Sequence, residues 1–224
     1  MEIEDRNIDG IINAIKEKNQ ILDLFMKQVV NFFETHPDIV GATPPIVHSV
    51  KSRRKSENNI RDKIQRYRER GKDVRKDNVL QEITDIVGVR VLHLHQQQWE
   101  DIHRAIKNHV DAGEWVFAEE PKAYSWDPDA SEFFKRNDVA VNIKESHYTS
   151  VHYLVRPRVD APACCEIQVR TLFEEVWGEI DHAVNYPYPT GNIAIQEQLR
   201  VLAKLVATGT RLADAVFKIQ QREM

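Results

Sequence analysis

The stretch from Glu166 to His182 constrains the fold most, because its periodicity changes abruptly at Thr171. In the first half, Ile167 and Val169 alternate with polar residues, and a period of two predicts a β-strand with one polar face. Beyond Thr171 the pattern predicts a helix. The polar face of the strand carries three side chains: Glu166, Gln168 and Arg170.

The predicted helix begins directly where the strand ends. Thr171 and Glu174 have the spacing of an N-terminal capping box. One helical face is predicted to carry residues three or four apart: Leu172, Val176, Glu179 and His182. The alternative for the strand is an edge strand whose polar face is merely solvated.

A second segment, residues 85–94, is almost continuously apolar after its first residue. This pattern predicts a strand that is buried on both faces. Arg90 lies within it and needs a partner or a ligand, because an isolated buried charge is costly. If Asp85 and Glu166 lie on adjacent strands, their carboxylates suit a hard cation such as Mg²⁺. The alternatives are that Asp85 only marks the strand boundary and that Arg90 forms a structural salt bridge.

Composition sets the broad class. The 224 residues are enough for one good core, and the net charge of −4 argues against a general polyanion binder. The two cysteines, Cys164 and Cys165, are adjacent, which argues against a disulfide scaffold or a zinc cluster. With neither a long apolar run nor a signal-peptide pattern, we expect a cytoplasmic protein without a membrane segment.

Three segments of the chain together resemble the RelA/SpoT-type alarmone synthetase domain, over residues 47–182. The segments are Arg53-Arg-Lys55-Ser56 with Ile60 and Lys63, Asp85-Ile-Val-Gly-Val-Arg90, and Tyr148-Thr-Ser150-Val-His152 followed by Glu166-Ile-Gln-Val-Arg-Thr171. The resemblance implies an α+β fold with a mixed sheet flanked by helices, similar to nucleotidyltransferases. It also implies transfer of the β,γ-pyrophosphate of ATP to the ribose 3′-hydroxyl of GDP or GTP. The products would be AMP and (p)ppGpp, the alarmone of the stringent response.

The resemblance assigns expected roles to residues of this chain. Asp85 and Glu166 would be catalytic and would hold Mg²⁺. The expected ATP-binding residues are Arg53, Lys55, Lys63 and Arg90. The expected acceptor-binding residues are Tyr148, which would stack on guanine, together with His152, Gln168, Arg170 and Lys144.

Two departures from the family pattern Gly-Tyr-Arg-Ser-x-His leave the acceptor open. His147 stands where the family has glycine, and Thr149 stands where it has arginine or lysine. The alternatives are a toxin-like relative that uses the tRNA 3′ end or an adenine nucleotide, and a non-catalytic nucleotide-binding regulator. A homo-oligomer or an antitoxin is a further possible partner. Alarmone hydrolysis is not expected. The metal-dependent hydrolase domain of the long family members needs a histidine-aspartate pair, and this chain has no His-Asp dipeptide.

The predicted organisation has three parts. Residues 1–43 form an N-terminal helical extension, residues 44–186 the synthetase-like domain, and residues 187–224 a C-terminal helix that packs on the core. Within the domain, residues 119–145 are predicted to form a long polar loop, a kind of segment that tends to carry function or be mobile.

Overall fold

The computed structural model describes residues 7–186 and 188–223 and contains a six-stranded mixed sheet with flanking helices. The predicted α+β class is therefore confirmed. The strands are β1 (Ser49–Arg54), β2 (Val87–His93), β3 (Val116–Ser125), β4 (Ala140–Ile143), β5 (Ser150–Arg156) and β6 (Cys165–Thr171). Their order is β1-β2-β6-β5-β3-β4, with parallel pairing of β2 with β6 and of β3 with β4.

The helices of the described residues surround this sheet. They are α1 (Ile8–Glu17), α2 (Asn19–Thr35), α3 (Pro37–Val40), α4 (Glu57–Glu69), α5 (Val79–Glu82), α6 (Gln98–Asp111), α7 (Pro128–Arg136), α8 (Leu172–Asn185) and α9 (Ile193–Glu223). The apolar N-terminal pattern forms two helices that meet at Lys18. The side chain of Asn7 caps the first of them by accepting the Asp9 N–H at 3.0 Å.

The two faces of the sheet differ in polarity. One face is the core, in which Val89, Val91 and Ile167 are fully buried and helix α2 packs against β1, β2 and β6. The other face is polar. On β2 this polar face includes Gly88 and Arg90, which are only partly buried. The prediction that this strand is buried on both faces is therefore wrong, because Glu166 and Gln168 stand beside these two positions in register.

The transition from strand β6 into helix α8 occurs at Thr171, as predicted, with the capping box formed. Thr171 Oγ1 accepts the Glu174 N–H at 3.2 Å, and Glu174 Oε2 accepts the Thr171 N–H at 2.7 Å. Val176, one of the residues predicted to share a helical face, is 54% exposed, and the buried positions of the helix are Glu175 and Trp177. Trp177 is buried against helix α9, where its Nε1 donates to the Leu199 carbonyl at 3.0 Å.

The capping carboxyl of Glu174 predicts a specific pH dependence of stability. Burial raises the pKa of Glu174 from 4.5 to about 7. As the pH rises from 4.5 to 7, the unfolded chain ionises first, so the protonated folded state loses stability. Glu174→Gln, whose carbonyl can still cap the helix, should remove about 1–3 kcal/mol of this loss. Urea unfolding at pH 5 and pH 8 measures it.

The control for this measurement is the exposed Glu114→Gln, which should keep the pH dependence of the unmodified chain. If Glu174→Gln and the unmodified chain lose equal stability between the two pH values, the buried carboxyl is not the cause.

The predicted loop over residues 119–145 is wrong. Strand β3 extends to Ser125, and α7 and β4 follow it. Asp127 caps α7 by accepting the Asp129 and Ala130 N–H groups, and Pro128 occupies the first helical turn. The sequence of these two strands lacks a regular apolar alternation. Register shifts interrupt the pairing of β3 with β5, and β4 lies at the sheet edge.

The C-terminal helix α9 packs against α8 and the end of the sheet. Asp214 Oδ1 lies 3.1 Å from His95 Nδ1 and accepts the Gln97 N–H at 3.1 Å. Among the described residues, no helix has the length and apolar composition that crossing a lipid bilayer requires.

Candidate functional site

The polar face of the sheet collects charged residues in registered rows. Arg53 on β1, Gly88 on β2 and Glu166 on β6 occupy one row. The next row contains Lys51, Arg90, Gln168 and His152. Since side chains in one row project to the same face, strand pairing alone brings these groups together.

Asp85, immediately before β2, is held by two lysines. Its Oδ2 lies 2.5 Å from Lys55 Nζ and its Oδ1 lies 2.7 Å from Lys63 Nζ. Lys55 follows β1 and Lys63 is on α4, so three elements meet at this carboxylate. Burial alone would raise the pKa of Asp85, but the two ammonium groups outweigh burial and hold the pKa below its ordinary value. Asp85 is therefore ionised at neutral pH.

Glu166 lies at the centre of a hydrogen-bonded chain. Gln168 Nε2 donates to Glu166 Oε2 at 2.7 Å, and His152 Nδ1 lies 3.1 Å from Glu166 Oε1. A carboxylate only accepts, so His152 Nδ1 carries the proton. Burial favours the neutral carboxyl, but the hydrogen bond and charge of His152 lower the pKa of Glu166 below its ordinary value.

Tyr148 extends this chain. Its hydroxyl lies 2.9 Å from His152 Nε2, which accepts a hydrogen bond from the hydroxyl when the imidazole is neutral. Burial raises the pKa of Tyr148, so the hydroxyl stays protonated. The guanidinium of Arg170 lies over the Tyr148 ring, 5.7 Å from its centroid. The ring is thus held at its hydroxyl and at one face.

Arg170 is less accessible than the sequence predicts for an acceptor-binding residue. Its side chain is only 3% exposed and is ion-paired with the equally buried Glu175 on α8. Arg170 therefore acts on the site through Tyr148 and Glu175.

Lys144 lies at the far side of the polar face. Its Nζ is 4.6 Å from the ring centroid of Tyr124 on β3, and Tyr124 meets the His152 ring edge-on at 4.7 Å. Lys144 is exposed, and the Tyr124 ring lies between its ammonium group and the His152 ring.

Sequence reasoning missed Glu175 and Lys51. Glu175 Oε1 accepts from Lys51 Nζ at 3.1 Å and from Arg90 Nη1 at 3.3 Å, in addition to the Arg170 pair. Arg90 also binds Glu179. The available signal was the i, i+4 spacing of Glu175 and Glu179, which places both carboxylates on one helical face.

A cleft of about 260 Å³ opens between the polar face and helix α8. Its lining includes Arg90, Tyr148, Gln168, Arg170, Gly178, Asp181, His182, Asn185 and Tyr186. It joins the aromatic ring of Tyr148 to two arginines of the sheet, Arg90 and Arg170.

The family model described as a region found in RelA / SpoT proteins matches residues 52–191, more than half of the chain. The chain belongs to the RelA/SpoT family. Comparison with curated protein sequences gives no significant match.

Several solved RelA/SpoT-type structures share the fold. A GTP pyrophosphokinase family protein from Streptococcus pneumoniae has a TM-score of 0.66 at 20% identity, over 92% of this chain and 96% of that one. Small alarmone synthetase 1 from Bacillus subtilis bound to pppGpp gives 0.61 at 18% identity, over 92% and 94%. The same enzyme bound to AMPCPP gives 0.58 at 15% identity, over 92% and 99%.

The structure explains both departures from the RelA/SpoT pattern at residues 147–152. His147 has a φ of 61°, a left-handed conformation that glycine adopts without strain. Thr149 is 6% exposed and points away from the polar face, with its Oγ1 3.4 Å from Ser125 Oγ. The Thr149 side chain therefore does not line the cleft.

Proposed function

We propose that this chain is an ATP-dependent pyrophosphokinase that makes (p)ppGpp from a guanine nucleotide. The acceptor 3′-oxygen attacks the β-phosphorus of ATP, the bond from that phosphorus to the oxygen bridging to the α-phosphate breaks, and AMP leaves. The observation that carries this proposal is the placement of two ionised carboxylates beside a cluster of cations: Asp85 stands just before β2, and Glu166 lies on the paired strand β6. Membership of the RelA/SpoT family and the nucleotide-bound structures with this fold support it.

The donor side of the site is the basic cluster around Asp85. Lys55, Lys63 and the exposed Arg53 would bind the triphosphate through charge-assisted hydrogen bonds, and Arg90 approaches from the next row. Guanidinium groups also stack on aromatic planes, which suits Arg53 and Arg90 to the adenine ring.

Asp85 and Glu166 fit a magnesium ion through the chemistry of their oxygens. The charge of Asp85 acts on Glu166 to raise its pKa, so the two carboxylates are electrostatically coupled. The described residues include no group of three His, Cys, Asp or Glu side chains that could hold a metal. Two carboxylates suffice for Mg²⁺, which takes its remaining ligands from phosphates and water. A bound Mg²⁺ would neutralise phosphate charge and polarise the β-phosphorus.

The acceptor side is built around Glu166. Its carboxylate is ionised and can accept the proton of the attacking hydroxyl, while His152 and Gln168 fix its orientation. Tyr148 would place the acceptor base by stacking, which contributes about 1–3 kcal/mol per base. Most of the rate enhancement would come from alignment and fixed charges.

An acceptor panel tests the function. The protein is incubated with labelled ATP, Mg²⁺ and, separately, GDP, GTP, ADP or deacylated tRNA, and the products are separated by chromatography. We expect AMP release that depends on GDP or GTP, with a pyrophosphorylated guanine nucleotide as co-product. Label transfer to ADP or tRNA instead would assign a different acceptor, and no AMP release with any acceptor would support a non-catalytic regulator.

The position of the Lys63 ammonium group leads to a separate prediction for the binding of ATP, the pyrophosphate donor. Lys63→Met should raise the KM for ATP about 10- to 100-fold, because a charge-assisted hydrogen bond contributes about 1.5–3 kcal/mol. Initial rates at saturating acceptor measure this. The matched control is Lys27→Met, at an exposed position on α2, which should leave KM unchanged. An equal KM in both variants would remove Lys63 from the ATP site.

A further inference from the structure

We propose that Glu175 is a positioning residue that sets the geometry of the donor and acceptor halves of the site together. This inference rests on the proposed function. Glu175 takes no direct part in the reaction proposed above. Glu175 is 4% exposed and is covered by its three cationic partners, so it acts through other side chains.

One buried carboxylate here joins three strands. Lys51 comes from β1, Arg90 from β2 and Arg170 from β6, and all three bind Glu175 on α8. Burial opposes ionisation, but these cations hold the pKa of Glu175 below its ordinary value. Without this charge, three cations on one face of the sheet would repel one another, and the buried Arg170 would lose its ion-pair partner.

The acceptor half depends on Glu175 through Arg170. The Arg170 guanidinium covers one face of Tyr148, so the carboxylate that fixes Arg170 also fixes which face of the ring is open to a base. Helix α8 makes room for this contact at Gly178: a Cβ placed there would lie 2.7 Å from Arg170 Nη1. Glu175 and Gly178 therefore hold the same guanidinium from two positions on one helix.

The donor half depends on Glu175 through Arg90. Arg90 is shared between Glu175 and Glu179, and the Glu179 side chain is 56% exposed whereas that of Glu175 is 5% exposed. Glu179 is ion-paired to Arg90, whereas Glu175 is ion-paired to Arg90, Arg170 and Lys51. The two carboxylates thus form a matched pair for experiment.

The kinetic test compares Glu175→Gln with Glu175→Asp and Glu179→Gln. We expect Glu175→Gln to raise the KM for the acceptor and the KM for ATP, each about 10- to 100-fold, equivalent to one charge-assisted hydrogen bond. Glu175→Asp, which keeps the charge, should recover most of this loss. Glu179→Gln should alter the KM for ATP and leave the KM for the acceptor unchanged.

A second variant reaches Arg170 without removing a charge. Gly178→Ala should raise the acceptor KM in the same direction, and its effect should be non-additive with that of Glu175→Gln, since both displace one guanidinium. A purely structural role for Glu175 would lower the melting temperature and the active fraction but leave the KM of the folded fraction unchanged. That result would overturn the proposal.

A readout independent of turnover separates this proposal from the proposed function. In ¹⁵N-arginine side-chain NMR spectra, the Arg170 guanidinium should show restricted rotation in the unmodified chain and free rotation in Glu175→Gln. If the unmodified chain releases no AMP but this difference is seen, the proposed function fails and the positioning role stands. Unchanged Arg170 signals in Glu175→Gln would overturn the positioning role, whatever the activity.

Discussion

Replacing Glu166 with glutamine should reduce turnover by about 10²–10⁴-fold, the contribution typical of a general base. Glutamine keeps the size of the side chain and can still accept from His152 and donate to other groups, so the sheet should fold unchanged. It cannot accept the proton of the attacking hydroxyl. Steady-state AMP release at saturating ATP and acceptor measures the effect.

The Glu166→Gln measurement needs two controls. Glu114→Gln, at an exposed position outside the sheet, should retain full activity. Binding of a non-hydrolysable ATP analogue to Glu166→Gln should remain close to that of the unmodified chain, which would place the defect in the chemical step. If AMP formation in Glu166→Gln matches the unmodified chain, Glu166 is neither the base nor an essential metal ligand.

Replacing Asp85 with asparagine should change turnover and ATP binding in opposite directions. The proposed metal contact would supply several kcal/mol of charge stabilisation, so its loss should lower kcat about 10²–10³-fold. In the structure Asp85 also binds Lys55 and Lys63, and it competes with phosphates for their ammonium groups. Without Mg²⁺, Asp85→Asn should therefore bind ATP more tightly than the unmodified chain.

Titration calorimetry with ATP in the presence of EDTA, and turnover over a range of Mg²⁺ concentrations, measure the two effects. Lys63→Met is the matched comparison, because it removes the cation and keeps the carboxylate. Full turnover of Asp85→Asn at saturating Mg²⁺ would exclude Asp85 as a metal ligand. Weaker ATP binding without Mg²⁺ would show that the carboxylate organises the lysines for the phosphates.

Asp85→Asn should also change how the free energy of unfolding falls at acidic pH. The folded-state pKa of Asp85 is lowered, so its ion pairs stabilise the protein above the ordinary carboxyl range and are lost as the pH falls through the lowered value. The asparagine variant should lack this part of the acid-induced loss. Urea unfolding between pH 3 and pH 6 follows it, on the scale of about 1.4 kcal/mol per pKa unit.

Local sequence signals predicted the parts of the site that depend on neighbouring residues. The alternation before Thr171 placed Glu166, Gln168 and Arg170 on one face, and the capping box fixed the start of helix α8. The resemblance of three ordered segments to RelA/SpoT synthetases predicted the α+β fold. The alternation and the capping box are reliable because their residues lie within a few positions of one another in the chain.

The same local signals failed where pairing partners are distant. Residues 119–145 were predicted to be a loop because β3 pairs with β5 through register shifts and β4 lies at the sheet edge, where the pattern of burial is weak. The helical pattern beyond Thr171 did not identify Trp177 as a buried residue of helix α8, because its burial depends on contact with helix α9.

The amino-acid sequence by itself determined which side chains share the polar face of β6 and where that strand becomes a helix. Only the tertiary structure decided which charges neutralise one another. Asp85 is bound by lysines from two other elements, and Glu175 joins cations from three strands. The physical reason is that ion pairs depend on distances of a few ångströms between segments far apart in the chain, which strand register and helix packing set.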